Sequence, residues 1–222
     1  MGFIKNLEQV LFPPHCLSCK KDTPEEPAAM RWLCLECHQL LIPRWQKSPY
    51  KPEIDESYYL FDYKKDGLAK KLLHALKYNF VKEAAASLAV AMEKERLNIK
   101  KINCDLIAPV PLHPKRLRER GFNQSYLIAQ KIGEIIEKPV GEDILKRKHY
   151  RQPQMKIKNR NNREKNIKGV FECAKPSFAH VAGKTVLLVD DVATTGATIK
   201  ECARVLKNSG AAKVLSFTLA QD

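Results

Sequence analysis

The sequence has no Gly-x-x-x-x-Gly-Lys-Ser/Thr loop. That absence excludes the Walker-type nucleotide hydrolases, in which such a loop wraps phosphates in backbone N–H groups. There is no run of about eighteen apolar residues, the length a helix needs to cross a bilayer. Lys5 and Glu8 interrupt the apolar stretch at the start, so no signal-peptide core is expected there. Asn6 stands where N-myristoylation requires Ser or Thr. These gaps lead to the expectation of a cytoplasmic protein. Negative charge is also scarce: 25 Asp and Glu face 39 Lys and Arg, a formal net charge of +14. Aromatic residues make up 8% of the chain, which limits base stacking as a binding mode.

What is present is 222 residues, 44% of them hydrophobic, enough for one full domain and an appendage. The positive charge is concentrated. Residues 112–122 carry +3 and residues 146–168 carry +9, so +12 of the total sits in two stretches. An even solubility coat would not be distributed in this way; a surface for a polyanion would. The anion is expected to be a pyrophosphate, a nucleic acid, or both.

Residues 185–199 read Thr-Val-Leu-Leu-Val-Asp-Asp-Val-Ala-Thr-Thr-Gly-Ala-Thr-Ile. The uncharged run 185–189 has the pattern of a strand buried on both faces of a parallel sheet. Asp190 and Asp191 follow it, then small hydroxyl residues around Gly196, then a helix with Ile199, Cys202, Ala203 and Leu206 on one face and Gly210 at its end. Strand, tight turn and helix start together aim backbone N–H groups and a positive dipole end at one point, a seat for phosphate. The acidic pair would repel that phosphate, so it is expected to hold sugar hydroxyls or a magnesium shell on the same ligand. A buried strand ending in a solvated acidic pair is the plainer alternative.

This arrangement resembles the ribose-phosphate signature of type I phosphoribosyltransferases. The resemblance implies an α/β fold, a parallel sheet flanked by helices. It assigns Asp190 and Asp191 to the ribose hydroxyls of phosphoribosyl pyrophosphate, and Ala193, Thr194, Thr195, Gly196, Ala197 and Thr198 to its 5-phosphate. It also implies Mg2+ on the ligand and a mobile loop closing over the pyrophosphate, a role that falls to residues 146–171.

Nearer the start, Cys16-x-x-Cys19 and Cys34-x-x-Cys37 are separated by fourteen residues. Two such knuckles complete a tetrahedral zinc shell, and reduced thiols in the cytoplasm favour metal over disulfides. A closed Cys16/Cys19/Cys34/Cys37 site is structural, so no chemistry is expected of it. His15 and His38 adjoin these ligands and could replace one. Cys104, Cys173 and Cys202 lack metal spacing and read as packing residues.

The rest of the chain reads coarsely. A short amphipathic helix covers 3–12, and a proline-rich linker covers 43–55. A strand is expected at 57–63, with helices at 68–77 and 80–97. A strand ends near 108–112, a loop rich in arginine follows, and a helix covers 124–137. A final strand covers 213–219. Two units follow: residues 1–50 as a helix with the zinc module, and 51–222 as the phosphoribosyltransferase-like domain.

Residues 109–125, Pro-Val-Pro-Leu-His-Pro-Lys-Arg-Leu-Arg-Glu-Arg-Gly-Phe-Asn-Gln-Ser, and residues 74–78, His-Ala-Leu-Lys-Tyr, resemble the corresponding stretches of the ComF family. ComF proteins are phosphoribosyltransferase-like, carry N-terminal cysteine knuckles and are associated with natural competence. Many of them have a second cysteine cluster; no cysteine lies between Cys37 and Cys104 here, so a second metal is not expected. The resemblance implies single-stranded DNA and a competence helicase as partners. It makes Lys77, Arg118, Arg120, Arg147, Arg151, Arg160 and Arg163 candidates for the pyrophosphate. An active transferase working on an unidentified acceptor, independent of DNA, is the alternative.

Overall fold

A computed structural model describes residues 15–24, 27, 30–48, 52–78, 84–148, 167–174 and 178–222. The expected helix at 3–12 lies outside the described residues. Among the described residues there are seven strands: β1 (Gln46–Lys47), β2 (Glu56–Asp62), β3 (Leu106–Pro109), β4 (Leu145–Arg147), β5 (Phe171–Cys173), β6 (Thr185–Ala193) and β7 (Lys213–Gln221). The helices are α1 (Leu35–Gln39), α2 (Gly67–Tyr78), α3 (Ala84–Lys94), α4 (Arg96–Ile99), α5 (Pro114–Arg120), α6 (Gln124–Ile136), α7 (Phe178–Val181) and α8 (Ala197–Asn208).

The main sheet has the order β1-β2-β7-β6-β3. β2, β7, β6 and β3 are mutually parallel, and β1 adds an antiparallel edge. Val186 to Val189 in β6 are wholly buried, as an uncharged β-branched run predicts. Parallel strands need covered faces, and both are covered. Leu187, Val189, Phe217 and Leu219 pack in one cluster with α2, α3 and α6. Val186, Leu188 and Val214 face the other way, against α8 and the β4–β5 hairpin. In α8, Ile199, Cys202, Ala203 and Leu206 recur at helical spacing and are at most 1% exposed. Gly196 at φ +72° opens that helix, a left-handed conformation that a side chain would strain.

Four expectations are corrected. The strand at 185 does not stop before the acids but runs through them to Ala193. Residues 114–120 are a helix, not a loop: His113 caps it by accepting from the Lys115 N–H, Pro114 occupies its first turn, and Gly121 at φ +76° ends it. The 43–55 linker contains β1, hydrogen-bonded to β2. The helix expected over 80–97 is two helices, α3 and α4, parted at Glu95, whose φ of −103° and ψ of 15° leave the helical region. The described feet of the basic stretch, β4 and β5, pair antiparallel with Leu145 opposite Cys173. Residues 149–166 between them lie outside the description.

The cysteine module is packed into the same apolar cluster as the sheet, through Cys16, Leu33, Cys37 and Leu41. Lys94 at the end of α3 fastens it by donating to the carbonyls of His38 (3.3 Å) and Leu41 (3.0 Å). Among the described residues no helix is long and apolar enough to cross a membrane.

Candidate functional site

β3 ends at Pro109, paired with Val189, and the Val110 N–H still donates to the Val189 carbonyl at 2.8 Å. One residue further along β6 comes the acidic pair, at the carboxyl edge of the parallel strands where open α/β sheets bind ligands. Asp191 is buried, and its Oδ1 lies 2.8 Å from the Lys77 Nζ, near the last turn of α2. Asp190 Oδ1 accepts from the Ser125 hydroxyl at 2.8 Å and from the Asp191 N–H at 2.9 Å. Two helices on one face of the sheet thus each send one side chain to one acid.

A second layer fixes those side chains. The Ser125 N–H donates to Asn123 Oδ1 at 3.1 Å, and Asn123 Nδ2 donates to the Val110 carbonyl at 3.1 Å. Gln124 donates to the Leu76 carbonyl at 3.0 Å, beside Lys77, and accepts from Arg120 at 3.1 Å. Gln124 is 1% exposed, so its amide has no water to fall back on and its bonds define its position. Ser125 and Gln124 are the residues the sequence reading did not assign. They stand in the first turn of a helix, where small polar residues ordinarily serve as caps, and nothing local marks Ser125 as the partner of an acid 65 residues away or Gln124 as a link between Leu76 and Arg120.

The candidates separate accordingly. Lys77 meets the acidic pair directly and Arg120 joins it through Gln124. Arg118 is exposed on α5. Arg147, in β4, stacks its guanidinium 5.4 Å from the Phe171 ring centroid. Arg151, Arg160 and Arg163 lie outside the described residues. In the turn, Thr194 is exposed, Thr195 and Thr198 are half-buried, and Ala193, Gly196 and Ala197 are buried. Gly196 provides no side-chain cap for α8, and the Ala197 N–H meets Thr195 Oγ1 at only 3.4 Å. The first N–H groups of α8 are therefore poorly served, which suits an anion at that turn.

Burial, and then the adjacent Asp191 charge, push Asp190 up to about 7 against the pull of Lys77 and Ser125. Burial opposes charge on Lys77, but the Asp191 and Asp190 carboxylates outweigh it and hold Lys77 above the usual lysine range. The folded protein keeps on Asp190 a proton that the unfolded chain begins to release near its ordinary value of 3.8, so this contribution is full below that value and is lost as pH rises through about 7. Asp190→Asn retains an acceptor for Ser125 without the buried charge. It should melt at least about 2 °C above wild type at pH 8, and the difference should shrink as pH falls through about 7 toward 3.8. Thermal unfolding by circular dichroism measures the difference; equal midpoints at pH 8 would contradict it.

The four cysteines Cys16, Cys19, Cys34 and Cys37 place their sulfurs within 4.8 Å of one another, with Cys19 and Cys34 3.6 Å apart. Thiolates about 2.3 Å from a zinc ion form a tetrahedron with edges of about 3.8 Å, so the donor set fits. Lys20 at φ +69° makes the first knuckle, where the Cys16 N–H donates to the Lys21 carbonyl at 2.8 Å. Cys34 heads α1 in the second. Burial and the neighbouring sulfurs push the Cys37 thiol up to about 12. The cluster could hold a metal such as zinc. His15 pairs instead with Asp22 at 2.8 Å, and His38 is buried outside the set.

Comparison with known proteins places this architecture. The phosphoribosyl transferase domain family matches residues 120–222. The DNA utilization protein YhgH of Escherichia coli K12 is 32% identical over 154 residues, 68% of this chain and 66% of its own. Competence protein F of Haemophilus influenzae is 33% identical over 119 residues, 53% of this chain and 50% of its own. Competence protein ComFC of Bacillus subtilis is 35% identical over 119 residues, 53% and 45% respectively. The chain thus spans just under two thirds of YhgH and half or less of the two competence proteins. Among solved structures, adenine phosphoribosyltransferase from Leishmania tarentolae is 11% identical with a TM-score of 0.43, covering 80% of this chain and 95% of its own. With its sheet of mostly parallel strands, its acidic pair ahead of a threonine-glycine turn and its cysteine cluster, this chain belongs to the ComF family of phosphoribosyltransferase-like proteins.

Proposed function

We propose that this protein binds phosphoribosyl pyrophosphate with Mg2+ at the carboxyl edge of β6 and engages single-stranded DNA through its basic surface during DNA uptake. One observation carries the first half: the linked series Lys77–Asp191–Asp190–Ser125, set directly ahead of a turn whose helix has no side-chain cap from Gly196 and only a 3.4 Å contact from Thr195 Oγ1 to its Ala197 N–H. Asp190 and Asp191 would take the ribose hydroxyls, and residues 193–198 the 5-phosphate. Lys77 and Arg120 would face the pyrophosphate, with Arg118, Arg147, Arg151, Arg160 and Arg163 available beyond them. Magnesium, when bound with the ligand, supplies neutralisation of the pyrophosphate charge. This chain's own residues orient the sugar and hold its hydroxyls. The cysteine module would carry a structural Zn2+. Residues 1–50 and 51–222 would be its two units, in a cytoplasmic protein working with a competence helicase.

Support for the DNA half comes from charge and kinship. Residues 146–168 carry +9, and three relatives are named for competence or DNA utilization. With few aromatics available for stacking, the affinity should be chiefly electrostatic. Fluorescence anisotropy of a labelled single-stranded oligonucleotide should show affinity falling at least about tenfold between 50 and 200 mM salt. A flat response would contradict this half.

A second reading is favoured by Asp190 itself. A carboxyl poised near 7 can accept a proton at neutral pH, as an incoming nucleophile at ribose C1 would require. Under that reading the protein is an active transferase. Pyrophosphate release from phosphoribosyl pyrophosphate, assayed with and without DNA and candidate acceptors, separates the two.

A further inference from the structure

α8 covers the sheet face opposite α2 and α6, and along it lies a hollow of about 210 Å³ lined by Glu53, Lys168, Ala197, Lys200, Glu201 and Arg204. Its charges are unevenly satisfied. Glu201 is fully engaged: it accepts from Arg204 at 2.7 and 2.8 Å and from the Gly169 N–H at 2.7 Å. Arg204 is spent on the same pair. The Lys168 and Lys200 side chains, by contrast, make no hydrogen bond or ion pair among the described residues, and Glu53 Oε2 is buried without a hydrogen-bond partner.

Two ammonium groups without a hydrogen-bonded partner, Lys168 exposed and acting on the Glu201 charge and Lys200 half-buried, attract an anion. An unpartnered carboxylate oxygen calls for a donor such as a hydroxyl. Bare phosphate at neutral pH meets the first demand and is repelled by the second; a phosphate ester with a sugar hydroxyl a few ångströms away meets both. The volume is below the roughly 300 Å³ at which drug-sized ligands begin, which suits one sugar phosphate rather than a dinucleotide. We propose that this hollow is a second ligand site, for a small phosphorylated, hydroxyl-bearing molecule such as a sugar phosphate or the sugar end of a nucleoside monophosphate. Lys168 and Lys200 take the phosphate and Glu53 a hydroxyl. Ala197, in its wall, is the first residue of α8, so the occupant touches the helix that also closes the phosphate turn beside Asp190 and Asp191. The hollow and the turn share Ala197 and differ in every other residue.

The test uses the full chain carrying Asp190→Asn and Asp191→Asn, titrated calorimetrically with ribose 5-phosphate and with inorganic phosphate. Ribose 5-phosphate should bind at least about fivefold tighter. Adding Lys200→Glu should weaken it about tenfold or more, the effect of losing one charge-assisted bond. Adding Glu53→Ala should erase the preference over inorganic phosphate. Lys168→Ser, on the other wall, serves in the same way if Lys200→Glu melts below the assay temperature. Absence of saturable binding, unchanged affinity in the lysine variants, or a preference that survives Glu53→Ala overturns the proposal. So does a Lys200→Glu effect on a single-stranded oligonucleotide with none on ribose 5-phosphate, since the hollow would then belong to a DNA strand. Binding of phosphoribosyl pyrophosphate by the Lys200→Glu single variant, measured apart, distinguishes failure here from failure of the other site.

Discussion

Replacing Asp190 and Asp191 together by Asn should lower the affinity for phosphoribosyl pyrophosphate with magnesium by about 100-fold or more. Each carboxylate would accept a charge-assisted bond from a ribose hydroxyl or from the water shell of the metal, worth roughly 1.5–3 kcal/mol, and two such losses give that factor. The substitution preserves shape and leaves the Ser125 hydroxyl an acceptor. It does leave the Lys77 ammonium, 21% exposed, facing an amide, so circular dichroism of the variant should accompany the titration. Calorimetry measures the result. An affinity within a few-fold of wild type would remove the ribose assignment, whatever remained of the phosphate turn.

The second large effect is expected at the other end of the molecule. Cys34→Ser should release the metal, from one zinc per chain to none by elemental analysis, and lower the melting point by about 6 °C or more. Three of the four cysteines are buried, and Cys16, Cys34 and Cys37 belong to the apolar cluster that includes Leu60 and Phe217 under the sheet. Loss of a bound ion would therefore loosen part of the main core, not a detached appendage. A cost of at least about 3 kcal/mol is modest for a structural zinc site, and in a chain of this size it corresponds to that shift. A strong chelator should reproduce the effect on wild type. Cys104→Ala is the control, a buried cysteine outside the cluster that should leave the zinc content unchanged. Undiminished stability in Cys34→Ser would mean that the knuckles hold their shape without metal.

Legibility in the sequence followed the range of the interactions. Residues 185–199 are readable because an uncharged β-branched run, a glycine turn and a helical apolar stripe are each local patterns. The cysteine knuckles are readable because their spacing is their geometry. By contrast, β6 continues through two adjacent acids because it stays paired with β7 as far as Ala193, while Lys77 and Ser125, far away in the chain, hold the two carboxylates. No local pattern predicts a strand that carries Asp-Asp in its middle. β1 is two residues long and exists only as a partner of β2, so its proline-rich surroundings read as linker. α5 is a different kind of miss. Its cap at His113, its Pro114 and its left-handed Gly121 were all local helix signals, and the density of arginine and proline obscured them. Gln124 and Ser125 joined the site through tertiary bonds to Leu76 and Asp190, which sequence spacing does not report.

The account rests on β6 and the turn after it forming a seat for a phosphorylated ribose. A crystal structure of the protein grown with Mg2+ and saturating phosphoribosyl pyrophosphate tests this most directly. It should show the 5-phosphate within hydrogen-bonding distance of backbone N–H groups in residues 194–198, with the ribose hydroxyls turned to Asp190 and Asp191. An ordered ligand elsewhere, with that turn bare at saturation, would contradict it.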